Sequence, residues 1–531
     1  MLFNSYIFIF AFLPVAVLGF YLLGRHNQFL AVSWVVAASL FFYGWWNPAY
    51  LILIVASVCG NYVIGTLLLT RAGQIAGGYH RTLLAVGVTA NLAVIGYYKY
   101  ANFFLDNINA VFDTGFQIEQ LLLPLGISFF TFQQVAFLVD CYTGKARSWR
   151  FMHYAFFVTF FPQLIAGPIV YHKEIQPQLQ RSRFGIFKSS NIAVGLTIFI
   201  IGLTKKVILA DNIAAYANPV FDSAAAGGDT ALLDSWIAAV AYTLQLYFDF
   251  SGYSDMAIGL ARLFGLKLPL NFDSPFKAAS IIEFWNRWHM TLSRFINAYL
   301  FVPMATPLTR FSVMHRYPKW LDFALRIHIP LLVTFLLAGL WHGAGWTFVV
   351  FGLMHGIYLV VNHTWRAIRP KRKSAPGRAA WLQRQVSIVF TFVMVVLTFV
   401  PFRAADMAAA QSIWAGMFGL NGILLPGPYL DSFGSLGPNL AALGVKFGDF
   451  PYGLSEALPW LLLTLIIVWF LPNTDEIMRR YRPAINPRTR VARWPAFEWR
   501  MRFRDAVLVA LFGTISFLSL TRVNEFLYFQ F

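Results

Sequence analysis

The chain has 531 residues, 58% of them hydrophobic and only 12% charged, where a soluble domain carries about 25% charged residues. Its formal net charge of +18 sits in short basic stretches between apolar runs, densest at 369–378 and 479–493. That placement is a membrane-topology signal and argues against a polynucleotide surface, so no nucleic-acid partner is expected. The two cysteines, Cys59 and Cys141, are too few for a disulfide framework or a cysteine-rich metal site.

Apolar runs suited to a hydrocarbon core of about 30 Å fall at 4–23, 28–46, 49–69, 82–98, 121–139, 192–210, 235–250, 281–301, 327–345, 347–363, 386–402, 457–472 and 506–524. The first has no basic residue ahead of it and no small-residue cleavage signal, and reads as a retained span. Loop charge alternates. Arg71 and Arg81 are followed by an acidic 102–120, then a basic 171–190 and an acidic 211–234. Basic loops are then cytoplasmic and the N-terminus faces outward. The expectation is an all-α polytopic membrane protein, one domain over 1–531 with about 11 to 13 membrane segments. Its catalytic core is expected over 120–365 and its C-terminal spans over 386–531.

Three stretches depart from a plain row of helices. "FFPQLIAGPI" (160–169) carries two prolines and a glycine between basic flanks and reads as re-entrant. "YFDFSGYSDMAIGL" (247–260) puts Asp249, Ser251 and Asp255 at membrane depth. Residues 269–295 are amphipathic and too polar for a free span. Polar or irregular backbone at that depth must be buried in protein or line a wet cavity. Asp249, Ser251 and Asp255 are therefore candidates for lining an internal chamber, with a structural network as the alternative. Residues 419–455, rich in Gly and Pro, form the longest outward loop. Lys205 and Lys206 read as meeting lipid headgroups, with donor phosphates as the alternative.

Ten histidines remain. His26, His80, His153, His172, His315 and His363 fall near span ends or in loops, where interfacial or solvated roles are the default, and His328 reads as structural. In "EFWNRWHMTLSRF" (283–295), Trp285, Trp288, His289 and Leu292 share one helical face, and Glu283 can pair with Arg287 at i, i+4. Asn286 and Trp288 are candidate chamber-lining residues there. In "AGLWHGAGWT" (338–347), His342 stands among Gly339, Gly343 and Gly345. Close helix packing explains the glycines but not the imidazole, which must satisfy a donor and an acceptor or cost about 1–3 kcal/mol. Ionisable groups inside a membrane are functional candidates by default. His342 is therefore the leading catalytic candidate, with Trp341 beside it. His355 shares the Gly-flanked setting and reads as a packing or supporting group.

No His-Glu-x-x-His, Gly-x-Ser-x-Gly or P-loop is present, and no nucleophile stands beside His342. No metal is expected. The remaining chemistry is direct transfer, in which an imidazole takes a hydroxyl proton as that oxygen attacks an acyl carbon. Its reference pKa of about 6.5 suits a base near neutral pH.

Together "LLPLGISFFTFQ" (122–133), "FFPQLIAGPI" (160–169), "LQLYFDFSGYSDMAIGLARLFG" (244–265), "EFWNRWHMTLSRF" (283–295), "GLWHGAGWTFVVFGLMHG" (339–356) and "FLYFQF" (526–531) resemble the membrane-bound O-acyltransferase (MBOAT) family. The likeness is to its bacterial branch of alginate O-acetyltransferases (AlgI) and D-alanyl transferases (DltB), closer to the former. The resemblance implies a ring of tilted helices around a thin central chamber, with His342 as the catalytic histidine and His289 as the second functional one. It implies a cytoplasmic thioester donor, expected to be acetyl-CoA, and no bound cofactor. The acceptor would be a hydroxyl of an exported polysaccharide or of a periplasmic or membrane-anchored SGNH-type partner, at the bacterial inner membrane with the N-terminus periplasmic. One departure stands out. Where alginate-type members turn through a Gly-Gly-Asn-Arg-like segment, this chain reads "MATPLTR" (304–310), which bears on donor or partner recognition. The alternatives are D-alanyl-type transfer from a carrier-protein thioester, or a transporter using Asp249 and Asp255 at a midplane site. A transporter of that kind predicts inverted repeats, which the sequence lacks.

Overall fold

The computed structural model describes residues 1–69, 78–118, 122–146, 149–182, 184–369, 377–487, 495–521 and 526–527. Parts of the basic clusters at 369–378 and 479–493, Arg71, and most of the terminal "FLYFQF" stretch lie outside them. Among the described residues the chain is helical apart from one short parallel pair, Ile423–Pro426 with Val445–Gly448. Among the described residues six helices are long and apolar enough to cross a membrane: Tyr50–Leu69, Gly78–Phe112, Ser189–Ala225, Lys319–His342, Trp346–Ile368 and Arg378–Arg403. Phe8–Gly24, Gln28–Gly44 and Leu454–Phe470 are shorter apolar helices. This is a polytopic all-helical membrane architecture.

The chain divides into two compact units. The first holds Met1–Thr204, Ser251–Asn271 and Thr474–Gln530. Leu13–Gly24 packs on Gln28–Gly44 there, and Phe8, Phe12, Phe42 and Phe161 meet in one aromatic cluster. The "FFPQLIAGPI" stretch contributes only a single turn, Phe161–Leu164, in a run that is buried throughout, because its prolines and glycine cannot extend a helix.

The second unit holds Lys205–Phe250 and Phe272–Asn473. Its central feature is the pair of helices Ile329–His342 and Trp346–Ile368. Glycines set how closely they approach. A Cβ on Gly339 would lie 2.3 Å from the Phe348 carbonyl oxygen, and one on Gly352 would lie 2.2 Å from that of Phe335. Backbone meets backbone at this crossing, and any larger residue would force the helices apart.

Four expectations need correction. The span at 281–301 is not one helix: Ile281–Trp285 stops, the chain turns through 286–289, and Met290–Ile296 begins again. Residues 247–260 are unbroken helix inside Leu232–Leu263, and Asp249, Ser254 and Asp255 find side-chain partners without breaking the backbone ladder. The acidic stretch 211–234 is largely helix, Asp211–Ala225. Residues 419–455 are ordered around the parallel strand pair, with helices Tyr429–Ser432 and Leu436–Ala442 between the strands.

Candidate active site

His342 is the last residue of its helix. The chain leaves extended through Gly343, and a Cβ there would strike the Phe348 ring at 2.1 Å, so glycine is required for Phe348 to sit where it does. The imidazole is buried among aromatic rings: Trp341 at 4.8 Å between centroids, Phe402 at 5.1 Å and Phe351 at 5.8 Å. Such a wall holds the ring in place and keeps bulk water from it.

His289 does not share a helical face with its neighbouring tryptophans. It occupies the left-handed region, φ 41° and ψ 51°, between the two short helices. For an L residue other than glycine that conformation costs about 1–2 kcal/mol and marks a position held by its surroundings. The holding groups are visible. The buried Arg287 contacts Glu283 Oε1 at 2.7 Å, donates to the Asp273 carbonyl at 3.1 Å, and its own carbonyl accepts from Asp273 N at 2.9 Å. Ser280 caps Ile281–Trp285 by accepting from Glu283 N. Asn473 donates to Asp273 Oδ1 and to Ser274 Oγ. The expected Glu283–Arg287 pair is thus one strut of a larger brace.

That brace delivers His289 to the same indole that flanks His342. The His289 ring lies 6.3 Å from Trp341 and 4.8 Å, edge-on, from Phe250. The two histidines, 53 positions apart in sequence, meet one tryptophan (342 − 289 = 53).

His355 has a different task. Trp285 Nε1–H donates to its Nδ1 at 3.3 Å, which makes Nδ1 an acceptor and leaves Nε2–H to donate to Thr398 Oγ1 at 3.0 Å. Thr398 passes its own proton to the Val395 carbonyl at 2.7 Å. Both ring nitrogens are engaged, so His355 ties the 281–289 turn to Arg378–Arg403 as a neutral structural group. Trp288 likewise belongs to the packing, stacked on Phe284 at 5.6 Å and against Phe272 and Phe399. Asn286 is exposed and donates to the Ile282 carbonyl.

The acidic candidates separate. Asp249, next to Phe250, is buried and lies 2.7 Å from Lys206, which also holds Asp211 at 2.8 Å. Lys206 is therefore an internal counter-ion and does not meet headgroups, a correction the burial of its side chain makes plain. Ser251 and Asp255 belong to the first unit, where Thr474 donates to Asp255 Oδ2 at 2.6 Å. His172, expected in a solvated loop, is buried and sits 3.3 Å from Asp140. Sequence reasoning missed Phe250, Phe351, Phe402 and Thr398. Each is an ordinary core residue in its own segment, and only tertiary contact gives it a role.

Similarity to known proteins shows the family. A family model described as MBOAT, membrane-bound O-acyltransferase family, matches residues 77–400, the stretch that holds His289, Trp341, His342 and His355. The chain belongs to this family. It is 41% identical over 453 residues to the peptidoglycan O-acetyltransferase of Helicobacter pylori, covering 80% of this chain and 81% of that one. It is 33% identical over the full length of both chains to a Pseudomonas putida protein described as "Probable alginate O-acetylase AlgI". A teichoic acid D-alanyltransferase of Bacillus subtilis is 28% identical over 52% of this chain and 68% of its own. The protein is a multi-pass membrane-bound O-acyltransferase.

Proposed function

We propose that this MBOAT member carries an acetyl group from a cytoplasmic thioester, acetyl-CoA, to a hydroxyl on the far side of the bacterial inner membrane, with His342 as general base. The imidazole takes the hydroxyl proton while the oxygen attacks the thioester carbonyl carbon. The C–O bond forms, the C–S bond breaks, and the imidazolium returns the proton to the departing thiolate. His342 ends its helix, and the carbonyl end of a helix favours the positive charge that forms there by about 0.3–1 kcal/mol. His289 orients the acceptor or the acyl oxygen. The observation that carries this reading is the meeting of both imidazoles on Trp341 inside an aromatic enclosure. The acceptor is an exported polysaccharide or a periplasmic SGNH-type partner, and the N-terminus is periplasmic.

The relatives' names include D-alanyl as well as acetyl transfer, so the donor must be tested directly. The purified chain, given labelled acetyl-CoA and a soluble hydroxyl acceptor with no carrier protein present, is expected to form acetyl ester. His342→Ala should lower that rate about 100- to 10,000-fold at unchanged thermal midpoint. A variant that keeps wild-type rate removes His342 from the chemistry. A wild type that is inert until a carrier thioester is supplied replaces the donor.

A further inference from the structure

The turn that carries His289 is tied twice. The Arg287 brace holds it through Glu283 and Asp273. The second tie is neutral and comes from Trp346–Ile368, the helix that crosses the one ending in His342. Trp285 is buried at the end of Ile281–Trp285, and only residues 286–288 separate it from His289. That stretch is tight, since Arg287 N and Trp288 N both donate to the Phe284 carbonyl at 2.8 Å. A shift of Trp285 is therefore passed on to His289.

An indole has one polar atom, its N–H, and Trp285 donates it to His355 Nδ1 at 3.3 Å. The His355 ring cannot follow the indole freely. Its Nε2–H is spent on Thr398 Oγ1 at 3.0 Å, and the Thr398 hydroxyl is spent on the Val395 carbonyl at 2.7 Å. Phe284 lies parallel to the ring, with 1° between planes at 6.2 Å, and Phe351 meets it edge-on at 4.8 Å. His355 and Thr398 are fully buried. If this position served packing alone, an apolar side chain would fill it without the desolvation cost of two ring nitrogens. A neutral imidazole supplies what an apolar side chain lacks: an acceptor and a donor fixed on one rigid ring, which bridges the Trp285 N–H to Thr398. His289 holds a left-handed backbone, which persists only where the surroundings impose it.

We propose that His355 is a positioning residue for acyl transfer: through its hydrogen bond from Trp285 it fixes the turn that sets the His289 ring against Trp341. This rests on the part given to His289 under the proposed function. His355 touches no substrate in this scheme and acts through His289 alone. Misplacing a working group by about 1 Å can cost on the order of 100-fold in rate.

Three variants of the full, detergent-purified chain separate the two hydrogen bonds of His355. Trp285→Phe keeps a ring and removes the donor. His355→Gln keeps an N–H for Thr398 and loses the acceptor for Trp285. His355→Asn puts a carboxamide oxygen where Nδ1 stood and keeps that acceptor. Trp285→Phe and His355→Gln should each lower kcat about 10- to 100-fold with little change in KM for acetyl-CoA, and His355→Asn should recover most of the rate. In a His289→Ala background, His355→Gln should lower the rate no further, because two changes acting through one group do not add. The second readout needs no turnover: deuterium exchange at the C2–H of each histidine, followed by mass spectrometry on the folded fraction. Exchange at His289 should quicken in Trp285→Phe and His355→Gln, while the exposed His26 exchanges as in wild type. Unchanged exchange at His289 in both variants overturns the proposal, as does an equal loss of rate from His355→Gln with and without His289. If acetyl-CoA proves not to be the donor, the reading of the reaction fails, and exchange at His289 still decides this one. Should His355→Gln fold poorly, Trp285→Phe carries the test.

Discussion

Individual residues in this protein divide by whether their polar atoms are committed. His355 has both nitrogens engaged, by Trp285 and Thr398. Lys206 is committed to two carboxylates, Asp249 and Asp211. Removing one member of a buried charged set leaves the others uncompensated, at a cost of about 3–5 kcal/mol. Lys206→Met, which takes the shared cation from two carboxylates, should therefore lower the thermal midpoint more than Asp249→Asn, after which Lys206 still holds Asp211. Fluorescence-detected size-exclusion melting of the two variants reads the order directly. The reverse order would mean that Asp249 has a further demand on it, such as a substrate contact.

Among elements, the decisive arrangement is the crossing of Ile329–His342 and Trp346–Ile368, because it fixes where His342 ends up. Gly352→Ala brings a methyl group to 2.2 Å from a backbone oxygen that cannot move independently of its helix. The helices must separate, and over-packing of this kind costs about 1–3 kcal/mol. The expected result is a lowered midpoint together with reduced transfer rate at temperatures where the protein is still folded. Gly345→Ala is the control, since its nearest neighbours lie at 3.6 Å and beyond. If Gly352→Ala melts and turns over as wild type, the crossing is not what positions the imidazole. The 281–289 turn is the second arrangement of this kind. Its left-handed His289 persists because Arg287, Glu283, Asp273 and Ser280 hold the segment ahead of it.

For the whole molecule, charge distribution carries the testable content. Lys173 and Asp229 are both exposed, and the positive-inside rule predicts that they lie on opposite faces of the membrane. In a background without Cys59 and Cys141, a cysteine at Asp229 should react with an impermeant thiol reagent in intact cells. One at Lys173 should react only after lysis. Reaction at Lys173 in intact cells would invert the orientation and, with it, the side from which the donor arrives.

Composition and hydropathy suffice to establish that the chain is a helical, multi-pass membrane protein, because burying backbone in lipid leaves no other inexpensive option for segments this apolar. The motif set also singled out His342 and His289, with Trp341 beside His342. What the sequence could not convey is where periodicity gives way. It predicted a continuous span over 281–301 and one aromatic face including His289, yet the chain breaks at that residue. The cause is the Arg287–Glu283–Asp273 brace, in which Asp273 comes from ahead of the segment. It read Lys206 as a headgroup contact, because its partner Asp249 lies 43 positions away (249 − 206 = 43). It read His355 as a packing or supporting group but could not name Trp285 and Thr398 as its partners. Local patterns report the energy of one segment against solvent or lipid. Which buried polar groups pair, and which rings meet around a shared tryptophan, is decided by contacts between distant segments, and only the tertiary structure contains those.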